Sequence, residues 1–577
     1  MKAVNKYIRM RALIVGCLFS LFFAVIGAKA VYLQIFRGPW LAKKAANQYE
    51  KSNVIYGKRG SIYDAKGNAM ALSIDVPSIA AFPQRIKNAK ITAQGLAKAL
   101  GVKQQAIYGK LTGKKTFVWI KRHVSPKEAK SVKALEFDGI GFIPESRRFY
   151  PNKTLAAQVL GFTGVDGKGL EGVEFGYDDY LKGAAIEQTI LRDALGRGFE
   201  VDNKIVSAFS GKNLVLTIDG TIQYIAEKTL EDTVAEYQAK SGIIVVMAPK
   251  TGALLAMAHY PTFNPNTYRR FKKNVWRNRA ITDPYEPGST MKIFSAAAAL
   301  ESGIASPNSI FFCENGTYKV GKNIVHDVHA HGWLSLQQIV KFSSNIGAVK
   351  IGEMVGSEFH YKMLRTFGFG QKTEIDCPGE TSGTLSPYKR WSKIDAGAIA
   401  FGQGLSVSAL QLVSGTSVIA NDGVLMRPFV VQSVTDQNGH LIKKMQPRKV
   451  RRVMGRDAAR TLNRIMQTVI TRGGTGVNAA LEGYTVCGKT GTAQKTDGSG
   501  TYAKGKYIAS FVGFAPAEDP AVTIVVIIDE PRKSHYGGVV AGPAFKKIAQ
   551  ETLSYLNIPP KRGSDNLTVS REDAVQG

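Results

Sequence analysis

The sequence predicts an α/β (α+β) fold, one sheet flanked by helices, set behind an elongated N-terminal module and a single membrane helix. Three observations predict it. Residues 12–28 form an uncharged apolar run behind a basic N-terminus. Between about Arg37 and Ser210, short apolar stretches, turns and basic helical segments follow one another without a compact pattern. From about Asn213, strand-like and helix-like periodicities alternate, with strand pairs near both ends of the unit. The implied organisation is a tail over 1–11, an anchor over 12–36, an N-terminal pedestal module over 37–210, an α/β domain over 211–556 and a disordered tail over 557–577.

The anchor rests on length and charge. The 17 residues from Ala12 to Ala28 carry no charge, close to the roughly 20 needed to cross about 30 Å of hydrocarbon. Lys29 can snorkel, so the segment continues through Val31, Tyr32, Leu33, Ile35 and Phe36. Lys2, Lys6, Arg9 and Arg11 on the short N-terminal side put that side in the cytoplasm and the remainder outside. Ala28-Lys29-Ala30 has the form of a signal-peptide cleavage site, but the apolar run exceeds the usual ~7–15-residue signal core. A single-pass anchor is the reading favoured.

Composition narrows the classes. The 577 residues include 44% hydrophobic residues, too many for a disordered chain. The 59 Gly and 22 Pro follow no fixed period, which excludes collagen and repeat folds. With 76 Lys+Arg against 45 Asp+Glu, the net charge is +31, and the partner is expected to be anionic. Export makes nucleic acid a poor candidate and favours lipid headgroups and cell-wall precursors. The densest basic stretch, Arg269–Arg277, reads as a solvated surface segment. Four Cys exclude a disulfide scaffold; a Cys313–Cys377 bridge and free thiols both stay open, with free thiols favoured.

Within the α/β unit, Leu214–Ile218 reads as a strand, Thr221–Tyr237 as a helix, and Ile243–Met247 with Ala253–Ala258 as a hairpin. Met291–Ser302 is an Ala-rich helix stopped by Gly303. Tyr507–Phe514 and Ala521–Ile528 form a second hairpin, and a helix follows from Pro543 to Leu556.

No GxxxxGK[ST], HExxH or GxSxG is present. What occurs is Ser289-Thr290-Met291-Lys292, then Ser343-Ser344-Asn345, then Lys489-Thr490-Gly491-Thr492. Each motif alone is weak, because copies recur at Ser386–Lys389, Ser306, Ser564 and Lys250. Context separates them. Ser289 follows the turn Glu286-Pro287-Gly288 and opens a strong helix, so Ser289 and Lys292 share a face. The copy at Ser386 lies in a polar stretch, that at Lys250 on a hairpin tip, and that at Ser564 in the tail.

In this order the three motifs resemble those of penicillin-binding proteins and serine β-lactamases. Arg59-Gly60-Ser61-Ile62-Tyr63-Asp64, Arg148-Phe149-Tyr150-Pro151 and Gly169-Leu170-Glu171-Gly172-Val173-Glu174 are similar to motifs of the N-terminal, dimerisation-type module of class B (monofunctional) penicillin-binding proteins. Tyr285-Glu286-Pro287-Gly288-Ser289 is similar to the division-type, FtsI-like branch. The resemblance implies a D,D-transpeptidase that cross-links peptidoglycan stem peptides, passing a D-Ala-D-Ala donor to an amine acceptor and blocked by β-lactams. It also implies a polytopic glycosyltransferase and other division proteins as membrane partners, and no metal or cofactor.

Chemistry assigns the roles. Ser289 is the nucleophile and needs a base. Lys292 supplies it once its pKa, near 10.4 when unperturbed, is lowered by burial and by the second cation, Lys489. Ser343 passes a proton to the leaving nitrogen, and Asn345 binds the substrate amide. Lys489, Thr490, Gly491 and Thr492 hold the terminal carboxylate, while the resemblance implies an oxyanion hole from the Ser289 and Thr492 N–H groups. Three alternatives stand beside this reading. One is an elongation-type transpeptidase; another is a carboxypeptidase or β-lactamase using the same serine, with Glu380 as a water activator; the third is a non-catalytic scaffold. His326, Asp327, His329 and His331 read as a surface loop before a helix near Leu334 rather than a metal cluster. Phe401-Gly402-Gln403-Gly404 is placed near the site without a catalytic role.

Overall fold

The computed structural model describes residues 2–191, 209–497 and 501–561. It divides into two compact units, Met1–Lys58 with Gly183–Ser210 and Arg59–Lys182 with Gly211–Gly577. In the first, a helix over Lys2–Val31 passes into a π-helical turn, Tyr32–Phe36, and a helix over Gly38–Tyr49. Asn5–Phe36 is apolar enough and, at 32 residues, long enough to cross a membrane. Strand Glu50–Tyr56 then pairs antiparallel with Ala185–Leu191.

The second unit begins at a short strand, β1 (Ile62–Tyr63), which turns back into the long β2 (Ala69–Ala81). Strand β2 pairs antiparallel with β3 (Val118–Lys121) and, from Leu72↔Phe149 to Ala81↔Ile140, with β4 (Ile140–Phe149). Helices Ala89–Leu100, Gln104–Leu111 and Pro126–Lys133 close over its far end. They are set by local signals: Asn88 caps the first and left-handed Gly101 ends it, while Ser125 and Glu128 form a capping box on the third. This head has its own small core, including Leu96, Leu100, Ile107, Leu111, Ile120 and Val132.

At the base of the pedestal the three motifs of the N-terminal module meet on one carboxylate. Glu174, with no exposure, accepts from Arg59 Nε at 2.6 Å, Arg148 Nε at 2.5 Å and the Tyr150 hydroxyl at 3.2 Å. Arg59 also reaches Asp178 at 2.5 Å and Arg148 the carbonyl of Gly60 at 2.6 Å. Buried charges require such pairing. Gly60 is required by contact, since a Cβ there would lie 1.9 Å from the Lys212 carbonyl.

Strand β5 (Asn213–Leu216) runs parallel to β1, and its other edge pairs with Val431–Thr435. One sheet therefore contains pedestal and α/β-domain strands. The second sheet is antiparallel throughout, in the order β8 (Cys487–Thr496), β9 (Tyr502–Ala515), β10 (Val522–Asp529), β6 (Ser241–Met247), β7 (Leu254–Tyr260). Strands β6 and β10 are buried at every residue, as expected where both faces are covered. Helices α1 (Gly220–Glu236) and α7 (Gly542–Tyr555) pack on the sheet and on each other; α5 (Ala409–Ala420), buried along its whole length, packs on the same central strands. The remaining helices that position the site are α2 (Lys292–Glu301), α3 (Leu336–Phe342), α4 (Asn345–Val355) and α6 (Arg456–Thr468).

Five details differ from the sequence reading. The strand read as Tyr507–Phe514 is longer, Tyr502–Ala515. The Ala-rich helix starts one residue late, because Gly288–Met291 forms a 3₁₀ turn before α2. The expected helix near Leu334 begins at Leu336, behind a short strand over Trp333–Ser335, because Ser335 and Gln338 form a capping box. The basic stretch 269–277 is not wholly solvated: Trp276 packs against Phe162 and Tyr268 while the cations stay at the surface. Residues 557–561, read as the start of a disordered tail, are docked. Ile558 packs on the core, its carbonyl accepts from the Tyr484 hydroxyl at 2.6 Å, and Lys561 N donates to the Gly483 carbonyl at 2.7 Å. The rest of that tail, with Ser564, lies outside the described residues. All four cysteines are free thiols.

Candidate active site

The 3₁₀ turn is what brings the first pair together. Residues i and i+3 eclipse in a 3₁₀ helix, so Lys292 Nζ donates to Ser289 Oγ at 3.0 Å. Gly288 makes the turn with φ of +55° and packs on the Phe401–Gly404 loop: its N–H donates to the Gly402 carbonyl at 3.0 Å. A Cβ on Gly402 would lie 2.0 Å from the Gly288 carbonyl. Glu286 fixes the same turn from its other side, accepting from Gly404 N at 3.0 Å and the Tyr502 hydroxyl at 3.1 Å.

The second motif is delivered at the junction of α3 and α4. Ser343 sits in the left-handed region, φ +63°, a conformation that costs a non-glycine residue about 1–3 kcal/mol and persists where neighbours over-determine it. The reversal aims both its carbonyl (2.5 Å) and its Oγ (3.2 Å) at Lys292 Nζ. Asn345, one residue into α4, presents Oδ1 to the same nitrogen at 2.8 Å, an orientation set by its Nδ2 donating to the His326 carbonyl at 2.9 Å.

The third motif lies on β8, the edge strand of the sheet. Lys489 is fully buried, and its Nζ donates to Ser343 Oγ at 2.9 Å and to the Thr490 carbonyl at 3.0 Å. One serine hydroxyl thus bridges two amines. Gly491 allows the strand to approach the Ser289 turn, since a Cβ would meet Thr290 Cγ2 at 2.8 Å and Ser510 Oγ at 2.3 Å. The hydroxyls of Thr490 and Thr492 are held by Thr475 (2.9 Å) and the Gly537 N–H (3.2 Å). Cys487 is turned onto Asn463 of α6 and leaves the site undisturbed.

Burial sets the electrostatics. It brings Lys292 down to about 7, opposed by the negative charge of Asp327, and pushes Lys489 well below the ordinary lysine range with help from the Lys292 charge. A neutral Lys292 has two N–H groups and one lone pair. With Ser343 O and Asn345 Oδ1 taking the two protons, the lone pair is left for a hydroxyl proton. The structure therefore brings Ser289, Lys292, Ser343, Asn345 and Lys489 into one hydrogen-bonded cluster.

The repeated motif copies are spent elsewhere. Lys250 pairs with Asp519 at 2.5 Å, Ser386 accepts from Trp391, and Ser306 bonds Ser309. Glu380, the suggested water activator, has both oxygens committed to its own loop, at Thr373 and Glu374. Sequence reasoning placed Asp327 in a surface loop with three histidines. It instead accepts from Asn345 N (2.5 Å), Ile346 N (3.0 Å) and Ser344 Oγ (2.6 Å). Thr475 was also missed, for want of any local motif.

Comparison with known proteins gives the family. Residues 242–550 match the penicillin-binding protein transpeptidase domain, and residues 54–216 the penicillin-binding protein dimerisation domain. The chain belongs to the penicillin-binding protein transpeptidase family. It is 37% identical to the "Probable peptidoglycan D,D-transpeptidase PenA" of Neisseria meningitidis, over 94% of this chain and 92% of that one. It is 34% identical to the peptidoglycan D,D-transpeptidase FtsI of Escherichia coli, over 95% and 92%. The stage V sporulation protein D of Bacillus subtilis is also 34% identical, over 97% and 88%. Among solved structures, penicillin-binding protein 3 of Mycobacterium tuberculosis, complexed with aztreonam, superposes with a TM-score of 0.69 at 28% identity, covering 88% of this chain and 98% of that one. This penicillin-binding protein is accordingly a class B peptidoglycan D,D-transpeptidase with an N-terminal dimerisation module.

Proposed function

We propose that this penicillin-binding protein works through an acyl-enzyme on Ser289, in septal wall synthesis, from a single-pass anchor with its N-terminus in the cytoplasm. The observation that supports the chemistry best is the contact of the Lys292 amine with Ser289 Oγ on one side and Ser343 Oγ on the other. Neutral Lys292 takes the Ser289 proton as Oγ attacks the carbonyl carbon of the penultimate D-Ala. The C–N bond to the terminal D-Ala then breaks, and its nitrogen leaves with a proton relayed through Ser343. Asn345 and Lys489 orient the donor, and Thr490, Gly491 and Thr492 line the strand on which its carboxylate rests. An amine from a second stem peptide attacks the ester and restores the Ser289 hydroxyl. No metal or cofactor enters. A β-lactam follows the first step and stays, because its leaving amine remains tethered.

Septal assignment draws support from the Glu286-Pro287-Gly288-Ser289 and Arg148-Phe149-Tyr150-Pro151 motifs and from the FtsI relative. A polytopic glycosyltransferase and other division proteins are the partners this reading requires, since nothing in the two matched domains polymerises glycan. Incubation with a penicillin followed by peptide mass spectrometry should map the acyl mass to Ser289; labelling elsewhere, or none, overturns the chemistry. Cells in which Ser289→Ala replaces the parent should filament without septa, whereas rounded cells would assign the enzyme to elongation.

A further inference from the structure

The Ser343–Asn345 segment raises a physical question that the reaction itself does not answer. Ser343 is strained, yet two of its oxygens must meet one nitrogen within hydrogen-bond distance, and something outside the segment has to hold that register. Both helices at the junction end on it: Ser343 closes α3, its N–H on the Ile339 carbonyl, and Ser344 is the N-cap of α4, accepting from Gly347 N at 2.9 Å. Each is a local bond that would survive a shift of α4 as a body. Apart from the two lysines of the cluster and a 3.5 Å contact from Ser344 Oγ to Cys313 Sγ, the segment's ties to another element, among the described residues, come from the end of the hairpin Thr317–Val320 and Asn323–His326. There the His326 carbonyl takes Asn345 Nδ2, and the next residue, Asp327, takes Asn345 N, Ile346 N and Ser344 Oγ on its two oxygens.

We propose that Asp327 is a positioning residue for the transpeptidase reaction, a carboxylate clamp that holds Ser343 and Asn345 in register on Lys292 and adds the negative charge that biases that amine. The first role follows from geometry. Three hydrogen bonds to a carboxylate at a helix N-terminus are favoured by the helix dipole, and they fix the residues on the C-terminal side of the strained Ser343. The second follows from sign. Burial lowers the Lys292 pKa and Asp327 partly opposes it, so the Asp327 charge shifts the balance towards the protonated amine near pH 7. Other ionisable groups near the clamp are Cys313, within 3.5 Å of Ser344 Oγ, and the Glu314–Lys350 ion pair at 2.6 Å. Lys489 faces Lys292 from β8, and Ser289 faces it from the 3₁₀ turn.

The inference rests on the acyl-enzyme reading, and the test keeps the two apart. Acylation of the full-length protein in detergent by a fluorescent penicillin is followed from pH 5 to 9 for the parent, Asp327→Asn, Asp327→Ala and Glu314→Gln. A parent that is never labelled sinks the acyl-enzyme reading itself. Given a labelled parent, Asp327→Asn should move the acid limb of the acylation rate to lower pH, since the charge is lost while the amide oxygen still accepts. Asp327→Ala should show the same displacement and an overall rate about 10- to 100-fold lower, as for a misplaced catalytic group. Glu314→Gln, which removes a nearby carboxylate that does not touch the segment, should leave the limb in place. A limb unmoved in Asp327→Asn overturns the proposal even where the rate or melting temperature falls, because that is the signature of a merely structural aspartate. A limb moved equally by Glu314→Gln also overturns it, by making the effect one of general charge.

Discussion

Lys292, brought to about 7 by burial, makes the residue-scale chemistry testable. The base is active when neutral, so acylation should rise with pH through about 7 and flatten above it. Stopped-flow acylation in buffers of constant ionic strength checks this, and a flat profile from pH 6 to 8 would contradict it. Lys292→Ala should lower the rate by roughly 10²–10⁴-fold, the usual contribution of a positioned base. A different residue tests the support of the turn. Gly402 has φ of +91° and no room for a methyl group beside Gly288, so Gly402→Ala should displace the Ser289 turn and cut acylation at least tenfold, measured with the same probe. The five core groups were legible in the sequence because each pair that matters is either local, as Ser289 and Lys292 are, or carried by a short motif. Asp327 was not legible. Its partners are 17 to 19 positions away, and nothing near it in sequence distinguishes a clamp from a polar loop residue.

At the scale of elements, the strongly periodic segments were read within one or two residues: α1, α7, and strands β6 and β10. Errors fell where a cap overrides periodicity, as at Ser335, or where a tight turn replaces the first turn of a helix, as at Gly288. The pedestal motifs were legible as motifs, but their convergence on Glu174 was not, since it joins residues 115 positions apart. That node carries a stability prediction. Glu174→Ala leaves the buried Arg148 guanidinium without a counter-charge and Arg59 with Asp178 alone, and should destabilise the protein by about 3–5 kcal/mol, read as a lowered denaturation midpoint. A second element contact depends on pH. Glu227 on α1 accepts from Ala156 N and Gln223 Nε2, both at 2.7 Å, and burial raises its pKa from 4.5 to about 7. The folded protein therefore binds this proton more tightly than the unfolded chain, and the stability it confers is lost as pH rises from about 4.5 through about 7. Glu227→Gln should flatten that slope, so melting temperatures at pH 5 and pH 8 should differ less than in the parent.

The whole molecule is partitioned differently from what sequence texture implies, and this leads to paired predictions about excision. The base of the pedestal contributes Ile62, Met70, Ala71, Phe162, Val173 and Leu181 to the same hydrophobic cluster as the α/β domain, whereas the head has a core of its own. Strand β1 also covers one edge of β5, with Ile62 opposite Leu214. A fragment spanning 211–561 would therefore expose a strand edge and lose part of its core, a combination that favours aggregation. It should be insoluble or unable to bind penicillin, and a soluble fragment that acylates at the parental rate would show that the base is dispensable. The head should behave in the opposite way. Ala81 and Ile140 are direct cross-strand partners at the ends of β2 and β4, so replacing residues 82–139 with Asn-Gly closes a two-residue hairpin of the favoured type. Ile79 loses its cover, at a local cost, while the Glu174 node, β1 and the shared core remain. That variant should fold and acylate Ser289 within a few-fold of the parent, by the fluorescent-penicillin assay. Loss of acylation in this variant, with its melting transition intact, would mean that the head acts on the site from a distance, a coupling for which the two separate cores give no mechanical route.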